Sequence, residues 1–147
     1  MSLFSKFFIF GFTMFLLSCS SGKTDEFASR SQLKCITRLI EKDDKIGKIR
    51  NKQCETLSLS QTILNYTEAM KSISADACPD AFVVAYESHR KAWIDMLPIT
   101  DQFPAMRGEM HVLFKQLEQS DASVAFKKQL AKIWATWAEV EKFVPKK

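Results

Sequence analysis

Residues 126–144, FKKQLAKIWATWAEVEKFV, give the clearest indication of fold class in this 147-residue chain. Large apolar side chains recur there at intervals of four and three residues, which is the spacing of one face of an α-helix. Trp134 flanks this stripe and widens it, and Ser120 and Asp121 precede it as suitable N-cap residues. The stripe consists of Phe126, Leu130, Ile133, Trp137, Val140 and Val144.

The same periodicity in four earlier segments predicts four further helices. They cover residues 31–43, 58–74, 79–96 and 104–119. Glycine and proline are sparse and fall between these segments, which favours helices over a β fold with many turns. We therefore predict an all-α domain over residues 31–147, an up-and-down bundle of four or five helices.

A polar stretch, DDKIGKIRNKQ at residues 43–53, separates the first two predicted helices. Acidic residues at its start offset its lysines and arginine, which favours a solvated loop over a basic patch for phospholipid headgroups. The whole chain carries 21 Lys and Arg against 17 Asp and Glu. This mild excess is not the dense basic face of nucleic-acid-binding proteins, so we expect no nucleic-acid partner.

The N-terminus has the features of a targeting signal. Lys6 precedes an almost unbroken apolar run over residues 7–17, which ends in Leu16-Leu17-Ser18-Cys19. The run is too short to span a bilayer, which needs about 20 apolar residues, and it is typical of an export signal. Its ending resembles the lipobox of bacterial lipoproteins.

This resemblance implies that residues 1–18 are removed as a signal peptide and that Cys19 becomes lipidated. Several acyl chains anchor a protein stably, whereas one chain alone is marginal. Ser20 after the cysteine is similar to residues that permit transport to the outer membrane, where the domain would face the periplasm. Residues 19–30, which include the lipidated N-terminus, are mostly small, polar or charged, as in a flexible tether.

Three cysteines remain to be explained besides Cys19. In an oxidising compartment an odd number allows at most one internal disulfide. If the first two helices are antiparallel, Cys35 and Cys78 lie at the same end of the bundle and Cys54 lies at the other. Because a disulfide requires Cα atoms within about 7 Å, this topology favours Cys35 with Cys78 and leaves Cys54 as a free thiol. The two pairings that use Cys54 remain open.

His89 and His111 are the candidate ligands for a metal ion or haem. If the third and fourth helices form an antiparallel hairpin, both lie at about the same distance from its turn and are able to meet. No HExxH, CxxCH or i,i+4 ligand pair accompanies them. We therefore expect no cofactor beyond the lipid, and we keep metal or haem binding as an alternative to a histidine hydrogen-bonded beside an aromatic core.

The segment YESHRKAW, residues 86–93, places Tyr86, His89 and Trp93 on one helix face. The polar tips of such side chains need partners when they are buried. The overlapping sequence HRKAWI, residues 89–94, resembles the aQraWi helix of periplasmic lysozyme-inhibitor-like proteins, although the cysteine that follows in that family is absent. The resemblance implies a periplasmic inhibitor as a second alternative function.

Motifs of catalysis are missing from the sequence. It contains no nucleophile elbow, glycine-rich phosphate loop or spaced carboxylate pair, so we expect no catalytic residues. The leading hypothesis is a membrane-anchored, non-enzymatic lipoprotein whose helical domain binds another envelope protein or has a structural role. Aromatic or methionine side chains that the core does not need would form its interface.

We predict that Cys19→Ser accumulates as an unlipidated precursor, because a hydroxyl group cannot form the thioether to diacylglycerol. Incorporation of labelled palmitate and partitioning into a detergent phase measure this outcome. Cys54→Ser is the matched control, since it removes a different thiol and should keep the label. Equal labelling of Cys19→Ser and the unmodified chain would contradict the prediction.

Overall fold

The computed structural model describes residues 29–145, and the regular secondary structure in that range is helical. The predicted all-α bundle is confirmed. The predicted signal peptide and Cys19 lie outside the described residues. The helices are α1 Arg30–Gln53, α2 Leu59–Lys71, α3 Asp80–Ile94, the single turn α4 Leu97–Thr100, α5 Met110–Glu118 and α6 Ser123–Glu141.

Helix α1 corrects the prediction of a solvated loop at residues 43–53, because it runs through that stretch without a break. Ser29 begins it with a capping box, accepting from the backbone N–H of Gln32 while the Gln32 side chain accepts from Ser29. Asp43 points inward and is only 6% exposed. The other charged side chains of the stretch are mostly exposed. The stretch is therefore an amphipathic helix segment with a polar residue on its inner face. Hydrophobic periodicity does not detect such a segment, because its inner face is not apolar.

Helices α2 and α3 lie close to their predicted positions. Ser58 precedes α2 and its hydroxyl accepts from the backbone N–H of Gln61. Pro79 precedes α3, with Asp80 in the first turn where it favours the helix dipole. Both helices end two or three residues earlier than predicted, which is within the usual uncertainty of helix ends.

The segment between α3 and α5 differs from the prediction. Pro98 lies in the first turn of α4, and the helix predicted from residue 104 begins only at Met110, after the N-cap Glu109. The intervening loop folds back on the α1–α2 junction: Gly108 N–H donates to Cys54 O at 2.8 Å, and Met106 O accepts from Leu59 N–H at 2.8 Å. These long-range bonds satisfy backbone groups that a helix would have satisfied locally.

Helix α6 packs mainly against α3. Phe126, Ile133 and Val140 from the predicted stripe are fully buried, whereas Trp134, expected to widen the stripe, is 62% exposed. Phe82 of α3 is also fully buried, and its ring centroid lies 5.8 Å from that of Phe143, which follows α6. Among the described helices, none has the length and apolar character that would let it cross a bilayer.

The predicted disulfide between Cys35 and Cys78 is present, with its Cα atoms 5.2 Å apart. It joins the first turns of α1 to the loop that precedes α3. Cys54 has a free thiol and is fully buried, and this burial raises its pKa. The thiol is thus held in its less reactive protonated form.

We predict that the double variant Cys35→Ala, Cys78→Ala loses about 4 kcal/mol of its free energy of unfolding, because the cross-link restricts the unfolded chain. The bond closes a long loop, with a sequence separation of 43 residues. Urea unfolding measures the loss. Reductant should bring the original chain to the level of the double variant and leave the double variant unchanged; an original chain insensitive to reductant would contradict the prediction.

Candidate functional site

A cleft of about 550 Å³ is lined by residues from α1, α3 and α6, and by Tyr66 of α2. Small-molecule sites typically have volumes of roughly 300–1,000 Å³. The three tryptophans of the chain, Trp93, Trp134 and Trp137, all line it. Its polar lining comes mainly from α1: Asp43, Asp44, Lys48, Arg50 and Asn51.

The α1 wall of the cleft is formed by positions four and three residues apart, Asp43, Gly47 and Arg50, which lie on one helix face. A Cβ atom added at Gly47 would meet nothing within 4 Å. The missing side chain therefore leaves open space along this wall. Glycine in a helix interior costs about 1 kcal/mol relative to alanine, so this opening has an energetic cost.

The guanidinium of Arg50 rests against two aromatic rings, with its Cζ 4.5 Å from the Tyr66 centroid and 4.6 Å from the Trp93 centroid. These two centroids are 5.5 Å apart, and the rings are nearly perpendicular. The two shorter distances meet at Cζ with an angle well below 180°, so both rings lie towards one side of the guanidinium and do not sandwich it. This geometry gives two cation–π contacts and leaves another side of the group uncovered by these rings.

Hydrogen bonds of Arg50 go to a neutral acceptor. Its Nε and Nη2 both donate to Asn51 Oδ1, at 3.2 and 3.1 Å. Within residues 29–145, no carboxylate oxygen lies within 4.0 Å of this guanidinium. Burial lowers the pKa of Arg50, yet an arginine stays protonated in proteins, so the cleft contains a cation without an ion-pair partner.

A buried carboxylate lies behind Arg50. Tyr66 Oη donates to both oxygens of Asp43, at 3.1 and 3.3 Å, and Tyr86 Oη donates to Oδ1 at 2.8 Å. Burial raises the pKa of Asp43, while the two tyrosine bonds and Arg50 act in the opposite direction. Burial, followed by the charge of Asp43, also raises the pKa values of Tyr66 and Tyr86, so both hydroxyls remain donors.

His89 is held by hydrogen bonds in a single tautomer. Trp93 Nε1–H donates to His89 Nε2 at 3.2 Å, so Nε2 carries the lone pair and the neutral ring has its proton on Nδ1. That Nδ1 lies 3.1 Å from Thr136 Oγ1. Burial lowers the pKa of His89 to about 4, and the ring is neutral near pH 7.

His111 has different surroundings from His89. Its side chain is 85% exposed, and its Nδ1 lies 2.7 Å from Oε1 of Glu109, whose Oε2 accepts from the backbone N–H of Val112. The two histidines thus have separate partners and are not brought together. Among the described residues, no group of three or more His, Cys, Asp or Glu is arranged to hold a metal ion. Metal binding by His89 would have to displace the Trp93 N–H from its lone pair.

Sequence reasoning singled out Trp93 and His89 but missed Asp43 and Arg50, because their segment was assigned to a loop. The spacing of Asp43, Gly47 and Arg50 was the available signal, since it continues the inner face of α1. The inhibitor-like segment, residues 89–94, belongs to α3. Within it His89 and Trp93 line the cleft, whereas Arg90 forms an ion pair with Glu87 outside it.

No protein-family model, curated protein or solved structure matches this chain. The chemistry of the site therefore rests on its own geometry. The cleft presents aromatic surface and one cation whose hydrogen bonds go to a neutral amide. These groups suit the binding of a molecule through apolar contact and charge.

We predict that the stability contributed by neutral His89 is complete above pH 6.5 and is lost as the pH falls through about 4. The unfolded chain binds the proton at the ordinary pKa, whereas the folded chain resists it. The difference of about 2.5 pKa units corresponds to roughly 3 kcal/mol. Asp43 has the opposite sign: its contribution is present in acid and lost as the pH rises through its raised pKa.

The His89 contribution is isolated by comparison with His89→Gln. Urea unfolding at neutral pH and near pH 4 should show the stability advantage of the original chain over this variant shrinking by roughly 3 kcal/mol in acid. His111→Gln is the matched control, because that ring is exposed and surface pairs contribute little. An advantage that is equal at both pH values would show that protonation of His89 is not linked to folding.

Proposed function

We propose that this chain is a lipid-anchored envelope protein whose helical domain is a non-enzymatic binding module, with the tryptophan cleft as its binding site. The observation that carries the proposal is the convergence of Trp93, Trp134 and Trp137 on one concavity. Tryptophan is rarely fully buried but supplies much of the binding energy at interfaces. Trp93 and Trp137 also pack in or against the core, whereas Trp134 does not, so the core does not account for the position of Trp134.

Trp134 is the residue that most directly indicates an occupant. Its side chain is 62% exposed although it stands on α6 beside the partly buried Trp137. Aromatic side chains bury about 150–250 Å² when covered, at about 25 cal/mol per Å². Because only 62% of Trp134 is exposed, a ligand that covers it would gain at most about 2–4 kcal/mol from this side chain, before the costs of association are subtracted.

The location rests on the sequence of the N-terminus. A signal peptide over residues 1–18, lipidation of Cys19 and a tether to residue 30 would hold the domain at the outer membrane, facing the periplasm. The Cys35–Cys78 disulfide supports an oxidising compartment, because such bonds are rare in the cytosol. The occupant of the cleft would then be another envelope protein or a small molecule of the envelope.

A second candidate function uses the same cleft. The segment at residues 89–94 resembles a helix of lysozyme-inhibitor-like proteins, and its His89 and Trp93 line the cleft. An inhibitor of an envelope enzyme would present this surface to its target. Metal or haem binding through His89 and His111 is less favoured, since each ring already has its own partner.

We predict that an aromatic photoreactive amino acid, which keeps a ring at position 134 of the membrane-tethered protein, crosslinks to an occupant of the cleft. Position 124 is the matched control, because Val124 lies on the same helix, is 81% exposed and does not line the cleft. The crosslinks are detected in native envelopes by a shift in electrophoretic mobility and by mass spectrometry of the products.

Filling the cleft should abolish the crosslink at position 134. Gly47→Leu places a bulky side chain in open space on a helix that favours leucine, so the fold should be retained. Gly47→Ala stabilises the helix similarly but leaves most of the space open, and it should keep the crosslink. The same products from positions 124 and 134, or products unaffected by Gly47→Leu, would refute the cleft as the binding site.

A further inference from the structure

The cation in the cleft indicates what kind of molecule would bind there. We propose that the cleft takes a small carboxylic acid with an apolar body, whose carboxylate binds the guanidinium edge of Arg50 and whose body packs against Trp134 and Trp137. This inference rests on the proposed function, since it names the ligand class of the same site.

The edge formed by Nε and Nη2 is one of the two edges of a guanidinium that bind a carboxylate with two parallel hydrogen bonds. In this structure a single neutral oxygen, Asn51 Oδ1, accepts from both atoms. Asn51 is exposed and lines the cleft, so its amide is able to move aside. A ligand carboxylate would replace one neutral acceptor with two charged ones, and bonds to charged groups are the stronger.

The other charges of the cleft do not compete for this position. Lys48 and Asp44 neutralise each other in an ion pair of 2.7 Å on the exposed face of α1. Asp43 is buried and engaged by the hydroxyls of Tyr66 and Tyr86. Asp43 balances part of the Arg50 charge without touching it, so a ligand meets one guanidinium and little net positive charge, which fits a monoanion better than a phosphate.

The aromatic residues determine the rest of the ligand. The Tyr66 and Trp93 rings hold the guanidinium from one side, so they fix its position before the ligand arrives. Trp134 and Trp137 then offer apolar surface on the α6 side of the same cleft. A volume of about 550 Å³ accommodates a small molecule, which is why we assign a small acid and not a folded partner.

Three probes with the same phenylpropyl body and different charges test this assignment: phenylpropionate, phenylpropanol and phenylpropylamine. The full-length lipoprotein, purified in detergent, is titrated while tryptophan fluorescence is followed, since all three tryptophans report on the cleft. We expect the acid to bind about tenfold or more tightly than the alcohol, and the amine to bind most weakly.

Variants assign this preference to Arg50. Arg50→Gln should reduce the affinity for the acid to that for the alcohol, and Arg50→Lys should retain part of the preference because it keeps the charge without the planar edge. Arg90→Gln is the matched control: it removes the same charge outside the cleft and should change nothing. Asn51→Ala, at an exposed site, should bind the acid at least as tightly as the original chain.

The outcomes separate this inference from the proposed function. If all three probes bind equally, or the amine binds best, the carboxylate assignment is overturned and the cleft remains a binding site. If no probe binds, the small-acid assignment is overturned, and the proposed function is then decided separately by the crosslink at position 134. A peptide ending in phenylalanine that binds more than tenfold tighter than phenylpropionate would overturn the assignment to a small molecule. Loss of acid binding in Asn51→Ala would show that Asn51, and not the Nε–Nη2 edge of Arg50, holds the anion.

Discussion

The Asp43 carboxylate joins three helices, because it lies on α1 and accepts hydrogen bonds from Tyr66 of α2 and Tyr86 of α3. An ionised carboxylate in a protein interior is costly unless it is fully hydrogen-bonded. The two hydroxyls reach the carboxylate only in one rotational orientation of α1 about its own axis. That rotation also directs Arg50, seven residues later on the same face, towards the rings of Tyr66 and Trp93. The shape of the cleft thus depends on a polar contact as much as on apolar packing.

A second series of side-chain hydrogen bonds fixes the opposite wall of the cleft. Trp93 donates to His89, and His89 contacts Thr136 of α6, so α3 and α6 are joined beside the cleft. Trp93 belongs to both networks: its indole N–H engages His89 while its ring supports Arg50. Because buried polar groups must all keep their hydrogen bonds, a substitution in one wall of the cleft alters the hydrogen bonding of the other. The aromatic residues of the site are therefore held in position by hydrogen bonds before any ligand binds.

Apolar periodicity predicted the helices well where their inner faces are apolar. Phe126, Ile133 and Val140 are buried as the spacing required, and helix topology placed Cys35 beside Cys78. The prediction was wrong at residues 43–53, where the inner face carries a carboxylate and a guanidinium. Their burial depends on hydroxyls and rings that are distant in the sequence, so hydrophobic periodicity does not indicate it, although the spacing of the two residues continues the inner face of α1. The same limit hid the cleft, since its walls come from segments separated by up to about a hundred residues.

The position of the cleft along α1 relates the proposed lipid anchor to the site. The helix begins at Arg30, close to the predicted tether, and rises about 1.5 Å per residue, so Arg50 lies about 30 Å along it. Cys35 and Cys78 fasten the beginning of this helix to the rest of the bundle, so tension from a membrane anchor would reach the domain next to a covalent bond. The Asp43 and Arg50 contacts lie beyond that bond. A lipid attached upstream of residue 30 would thus hold the domain by the end of α1 that is distant from Arg50. Because the anchor and the cleft would be at different ends of the helix, membrane attachment would not obstruct the cleft.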